Sequence, residues 1–247
     1  MYTAFPVVFM HGREWTIRSE KKSSCTLVVF LRAPEPGRVK TRLAKDVGDE
    51  KALALYKGFV SATLDAADAW CGRHGQAPES RAIRIAYYPE NRQDMVAAWL
   101  GRERQYIAQS GKDLGRRMAN AMAGAFDHGA GRVALVGTDI PQIRSGLLAQ
   151  AFDALNRSDV VIGPSLDGGY WLIGACRETF IPAIFENIDW GTSSVCAATT
   201  ELCQTHGLAT SFLEPLRDVD TLADLNALRC HDCITGHLPG TNGDSRD

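Results

Sequence analysis

Short runs of apolar, β-branched and aromatic residues recur along the chain at 26–32 (TLVVFLR), 81–88 (RAIRIAYY), 104–108 (RQYIA), 132–137 (RVALVG), 158–163 (SDVVIG), 170–175 (YWLIGA) and 208–213 (LATSFL). Between them, apolar positions repeat at helical spacing with alanine-rich filling at 49–70, 91–100, 113–128, 145–156, 192–206 and 221–229. Strands that alternate with helices predict a parallel or mostly parallel sheet. Near-continuous apolar strands such as VALVG predict cover on both faces. The expected architecture is therefore a three-layer α/β/α domain. No repeat and no low-complexity linker interrupts 25–230, so those residues read as one domain, 1–24 as an N-terminal extension and 231–247 as a flexible polar tail.

Composition narrows the partners. The chain has 247 residues, 45% of them hydrophobic, and a formal net charge of -2. That balance argues against nucleic acid and against a membrane surface, which call for a basic field over a whole face. Any basic site must be local. No apolar run approaches the roughly 20 residues of a spanning helix. The opening MYTAFPVVFMHGREW lacks a cationic leader and is interrupted by Pro6, so it does not read as a signal peptide. Seven cysteines without framework spacing fit a reducing cytoplasm. Cys230 and Cys233 form a C-x-x-C, but no second pair lies at zinc-site spacing, and a frayed helix end is the better reading.

In open α/β sheets ligands bind beyond the carboxyl ends of strands, which directs attention to four segments. The first is FLRAPEPGRVKTRLAK, 30–45, where five cations face one acid. Extended spacing by two predicts that Arg38, Lys40 and Arg42 share one side, an arrangement suited to a diphosphate. Lys45 is expected on a following helix, facing solvent. A solvated basic loop is the alternative. No G-x-x-x-x-G-K-[ST] is present and no G-x-G-x-x-G follows the first strand, so neither a Walker-type ATPase nor a classical dehydrogenase is supported.

The second and third segments each offer a carboxylate: Asp139 in VGTDIP, and Asp220 in RDVDTLADL, with Asp218 on the same side if the backbone is extended. A hard divalent ion bound to substrate phosphates takes only one or two protein carboxylates, so Asp139 and Asp220 together suffice for Mg2+ or Mn2+. Each acid has a helix-cap alternative. The fourth segment, GPSLDGGYWLIG, joins two strands through Asp167, Gly168 and Gly169. Those residues form either a plain turn or a place where a sugar or nucleotide approaches the backbone while Asp167 accepts hydroxyl hydrogen bonds.

Taken together, PGRVKTRL, QSGKDLGRRM, GTDIP, GPSLDGGYWLIG, IDWGTS and DVDTLADL resemble the bacterial nucleotide-diphospho-sugar transferase family of arsenosugar-biosynthesis-type glycosyltransferases, which has the GT-A (Rossmann-like) fold. The likeness runs from about Thr26 to Leu228. It implies that Arg32, Lys40 and Arg42 hold nucleotide phosphates, that Asp139 is the metal acid of a reduced D-x-D motif with Asp220 as the second, and that Gln109, Gly111 and Gly115 hold the base. Asp189-Trp190-Gly191 precedes the helix expected from Thr192, where an acceptor would meet the donor's anomeric carbon and Trp190 would stack on a sugar; a packed tryptophan and an acid at a helix N-terminus are the alternative. If the enzyme inverts, Asp167 or Asp189 is the candidate general base, and if it retains, neither need be. The wider superfamily includes phospholactate and molybdenum-cofactor guanylyltransferases, so a nucleotidyltransferase is the alternative activity. The first loop reads R-A-P-E-P-G instead of that superfamily's G-x-G-x-R, which favours a nucleoside-diphosphate-sugar donor and an unidentified hydroxyl acceptor. Homo-oligomerisation is left open.

Overall fold

The computed structural model describes residues 24–72 and 81–235. The expected N-terminal extension, apart from Ser24, and residues 236–247 of the expected tail lie outside the described residues. The chain runs β1 (Cys25–Arg32), α1 (Thr41–Val47), α2 (Asp49–Gly72), β2 (Arg81–Tyr88), α3 (Gln93–Leu100), β3 (Gln105–Ala108), α4 (Leu114–Asp127), β4 (Arg132–Val136), α5 (Ser145–Ala154), β5 (Val160–Pro164), β6 (Tyr170–Cys176), α6 (Val195–Thr205), β7 (Thr210–Phe212) and α7 (Leu222–Thr235). All the strands and helices read from the apolar pattern form, with ends shifted by a few residues. Helix α7 continues to Thr235, beyond the expected domain edge at 230, and carries the C-x-x-C segment within its last turns.

The sheet has seven strands in the order β3-β2-β1-β4-β6-β5-β7. All pairings are parallel except those of β6, which runs antiparallel to both β4 and β5. The Asp167–Gly169 turn makes this reversal, connecting β5 to β6 as a tight hairpin would, where a parallel partner would need a long crossover.

Alternation along the central strands accounts for the three layers. In β1, Leu27, Val29 and Leu31 enter one core with Tyr56, Val60 and Leu64 of α2 and Leu148 and Phe152 of α5. Val28 points the other way, into a second core with Met118, Met122 and Phe126 of α4 and Cys203 of α6. The same division holds in β4, where Ala134 and Val136 join the first core and Val133 and Leu135 the second. Successive side chains of a strand face opposite sides, so a run apolar at every position is buried twice over. Trp70 stacks on Phe152 with ring centroids 4.7 Å apart, fastening α2 to α5.

This packing exposes the carboxyl ends of β1 and β4 at one edge. Strand β1 has β2 on one side and β4 on the other, so the order of the strands reverses there. Such a switch point opens a crevice between the loops that follow.

Candidate active site

A cavity of about 650 Å³ occupies that crevice. Its walls come from the ends of β1 and β4, the 38–42 segment, the start of α4, the turn before β6, the loop before α6 and the loop before α7. Arg32, Arg38, Lys40, Arg42, Gln109, Asp139, Asp167, Gly169, Trp190 and Asp220 all line it. Gly111, Gly115, Gly168 and Asp189 do not. A second cavity of about 540 Å³, bounded in part by Arg92 and Glu35, adjoins it across Arg32, Arg38, Thr41 and Tyr88.

The basic segment differs from the extended path read from its spacing. Residues 36–40 form turns and α1 begins at Thr41. Lys40 sits in the left-handed region at φ 47°, a conformation a residue with a side chain adopts only when its surroundings hold it. The turn separates the cations: the Lys40 side chain is 3% exposed, that of Arg42 is 68% exposed, and Arg38 is exposed. Lys45 lies exposed in α1, as expected.

Lys40 is directed at the two acids. Its Nζ lies 2.5 Å from Asp139 Oδ1 and donates to Asp220 Oδ1 at 2.9 Å, while Arg42 pairs with Asp220 Oδ2. Burial works against the Lys40 ammonium, but the two carboxylates outweigh it and hold its pKa above the ordinary lysine value. Neither acid caps a helix: α5 has Arg144 at its N-cap, and α7 is capped by other residues. At the start of α7, Asp224 accepts from the Thr221 hydroxyl at 2.6 Å and from the backbone N–H of Thr221 at 3.0 Å, and Thr221 Oγ1 accepts in return from the Asp224 N–H at 3.3 Å. This reciprocal capping box leaves the Asp220 carboxylate to Lys40 and Arg42. Asp139 precedes α5 by several residues, and its backbone carbonyl accepts from Val219 at 3.0 Å, bringing the two acid-bearing loops together.

Two oxygens within 3 Å of one ammonium nitrogen converge on a single cation. Among the described residues no group of three or more His, Cys, Asp or Glu is placed to hold a metal ion. The pair fits only the case of an ion that takes most of its ligands from phosphate and water. Asp218, beside them, is pushed up to about 6 by burial and by Asp167 and Asp220.

Three contacts in the site were not legible in spacing. The Tyr56 hydroxyl from α2 accepts the Arg32 N–H and donates to the Arg32 carbonyl, both at 2.8 Å, fixing the end of β1; burial pushes this phenol well above its usual range. Arg117 of α4 lines the cavity, lies 4.0 Å over the Tyr88 ring and donates to the Gly111 carbonyl at 3.1 Å. Its neighbour Arg116 instead reaches Glu186 at 3.4 Å, because consecutive helical residues point about 100° apart. Gln109, expected to offer a donor and an acceptor, has its amide nitrogen occupied by the carbonyls of Leu31, at 3.1 Å, and Ala86, at 2.9 Å. The side-chain oxygen is what remains for a ligand.

Protein atoms fill the space beside three of the candidate glycines, and at Gly111 an added Cβ would lie 2.9 Å from the backbone of Arg116. A side chain at Gly115 would meet the Phe185 carbonyl at 2.4 Å and the Trp190 ring at 2.6 Å. Trp190 is thus packed along one edge against α4, and Tyr170 meets it edge-on at 6.4 Å, while it also lines the cavity. Gly168, at φ 92°, lets the turn close on Ser193, whose carbonyl oxygen would lie 2.0 Å from an added Cβ. Replacing Gly168 with alanine is expected to destabilise the fold by on the order of 3 kcal/mol, through overpacking and backbone strain. An unchanged urea midpoint would contradict that packing. Asp167, next to it, accepts on Oδ1 from the Ser165 hydroxyl and from the Gly169 N–H at 3.0 Å. Asp189 is exposed outside the cavity wall.

Residues 73–192 match a family model described as an uncharacterized protein conserved in bacteria, DUF2064. A solved structure from Desulfovibrio desulfuricans G20, provisionally assigned as a nucleotide-diphospho-sugar transferase, is 39% identical, covers 85% of this chain and 88% of its own, and superposes with a TM-score of 0.78. The chain belongs to the DUF2064 family. Its fold is that of nucleotide-diphospho-sugar transferases. The same fold recurs in the 4-diphosphocytidyl-2C-methyl-D-erythritol synthase of Anaerococcus prevotii, at 10% identity and TM-score 0.54 over 85% of this chain and 99% of that one. It recurs also in a nucleotidyl transferase from Methanothermobacter, at 14% identity and TM-score 0.52 over 85% and 98%. No curated protein matches the chain. Members of the fold therefore include nucleotidyltransferases, and likeness alone does not choose the reaction of this DUF2064 protein.

Proposed function

We propose that the protein is a metal-dependent glycosyltransferase that moves a sugar from a nucleoside-diphosphate-sugar donor to a hydroxyl acceptor. The observation that carries this reading over nucleotidyl transfer is the donor inventory of the first loop. Ala33 N–H bonds the Tyr88 carbonyl at 2.7 Å, Glu35 N–H bonds the Ala33 carbonyl at 2.9 Å, and Arg38 N–H bonds the Glu35 carbonyl at 3.1 Å. Pro34 and Pro36 have no N–H. A glycine-rich loop cradles a triphosphate with successive backbone N–H groups. From Ala33 to Pro36, directly after β1, this loop has no N–H left for a phosphate, and the side-chain cations of Arg32, Arg38, Lys40 and Arg42 line the cavity instead, which suits the shorter diphosphate.

In this reading Lys40, Arg42, Arg32 and Arg38 bind the diphosphate, the oxygen of Gln109 accepts from an N–H of the base, and Trp190 and Gly169 border the sugar. Asp139 and Asp220 hold Mg2+ or Mn2+, which when bound neutralises the charge that develops on the leaving diphosphate. The acceptor oxygen forms a bond to the anomeric carbon as the bond from that carbon to the phosphate oxygen breaks, its electron pair leaving with the nucleoside diphosphate. The acceptor proton passes to Asp167, which borders the cavity where Asp189 does not.

Calorimetric titration compares matched nucleotides. A nucleoside diphosphate is expected to bind within about threefold of its triphosphate, because residues 33–36, directly after β1, offer no N–H donors for a third phosphate. A triphosphate that bound about tenfold more tightly, or roughly 1.4 kcal/mol, would favour the nucleotidyltransferase.

A further inference from the structure

The cluster that joins Lys40, Arg42, Asp139 and Asp220 contains two cations and two anions, and every member is paired with another. A divalent ion held by the two acids would lie about 2.1 Å from a carboxylate oxygen. The Lys40 nitrogen already lies 2.5 and 2.9 Å from one oxygen of each acid. Ammonium and metal therefore compete for the space between the two acids, where Lys40 holds one oxygen of each and Arg42 the second oxygen of Asp220. A metal entering alone would add two positive charges to a neutral cluster and place them within a few ångströms of a buried ammonium. A diphosphate changes the balance, because it supplies several negative charges and oxygens to which Lys40 can turn.

We propose that Lys40 is a built-in competitor that holds the cation position between Asp139 and Asp220 until a diphosphate draws it away, so that the divalent ion binds only with the nucleotide. The inference rests on the reading of these acids as metal ligands given above and adds an order to it: the nucleotide creates the metal site. It also gives the left-handed backbone at Lys40 a purpose, since that turn is what sends the side chain inward while its neighbours Arg38 and Arg42 remain exposed.

The sign of one substitution tests it. Lys40→Met keeps the apolar stem and removes the ammonium, and Lys40→Gln serves if the methionine variant folds poorly. Binding of Mn2+ alone to nucleotide-free protein is followed by loss of the free-ion electron paramagnetic resonance signal. The variant is expected to bind Mn2+ at least about fivefold more tightly than the wild type, the lower end of typical coupling between sites. Adding Asp139→Asn to it should remove the gain. Titration of Mn2+ into protein saturated with GDP, UDP, CDP or ADP, whichever raises the thermal midpoint most, should show roughly tenfold tightening in the wild type and under about threefold in the variant. Mn2+ affinity that is unchanged or weaker without the ammonium overturns the proposal, as does a gain that survives Asp139→Asn. Sugar-nucleotide turnover by the wild type with no such gain would defeat this inference alone, whereas the gain without any turnover would defeat only the glycosyltransferase reading.

Discussion

Lys40→Ala is expected to lower nucleoside-diphosphate affinity at least about tenfold, roughly 1.4 kcal/mol, the smaller end of what removing a buried partner of a charged group costs. The sequence weighs Lys40 and Arg42 equally, but burial separates them: the Lys40 side chain is 3% exposed and that of Arg42 68%. Arg42→Ala should therefore cost less, about threefold, as a rim charge does. Lys45→Ala, on the exposed face of α1, should change little. All losses should be larger for the diphosphate than for the monophosphate, because the proposed contacts are to the pyrophosphate. Calorimetric titration of the variants with both nucleotides measures this, and equal small losses throughout would mean that the segment is a solvated basic loop.

The carboxylates should have the larger effect on turnover. Asp139→Asn and Asp220→Asn are each expected to reduce metal-supported activity roughly a hundredfold, the scale seen when one group that stabilises transition-state charge is removed. Neither should unfold the protein, since the cap of α7 is made by Thr221 and Asp224. The effects should not add, because the two acids are proposed to hold one ion and would then act on the same interaction. Asp220 should also weaken nucleotide binding without metal, as it orients both Lys40 and Arg42. A double variant that lost the product of the two single effects would place the acids at separate tasks.

The apolar pattern made the fold readable because β1 and β4 are buried on both sides, and such strands leave runs like LVVFL and VALV that little else explains. The site was readable as a set of segments at strand ends, but not as geometry. Spacing by two misread 38–42 because a single left-handed residue, Lys40, turns the chain. Whether Asp220 caps α7 was undecidable from sequence, as Thr221 and Asp224 form an equally good cap and only the folded hydrogen bonds show which is used. Gln109 offers two kinds of group in sequence and one in the structure, its amide nitrogen being tied to carbonyls of β1 and β2 that lie far from it along the chain. Tyr56 and Arg117 reach the site from helices whose apolar faces pack into the two cores, so nothing local marked them. Gly115 and Gly168, read as room for a ligand, make room for Trp190 and Ser193 instead, a tertiary fact with no signature in the motif.

The central claim, that the cavity activates a sugar nucleotide rather than a nucleoside triphosphate, is tested most directly by the product. The purified protein is incubated with Mn2+ and, separately, with UDP-, GDP-, CDP- and ADP-sugars and with the four ribonucleoside triphosphates, each with a mixture of hydroxyl-bearing and phosphorylated acceptors. Release of a nucleoside diphosphate from one of the sugar nucleotides, lost in Asp139→Asn, is the predicted result. Release of pyrophosphate from a triphosphate, with no nucleoside diphosphate from any sugar nucleotide, would contradict it.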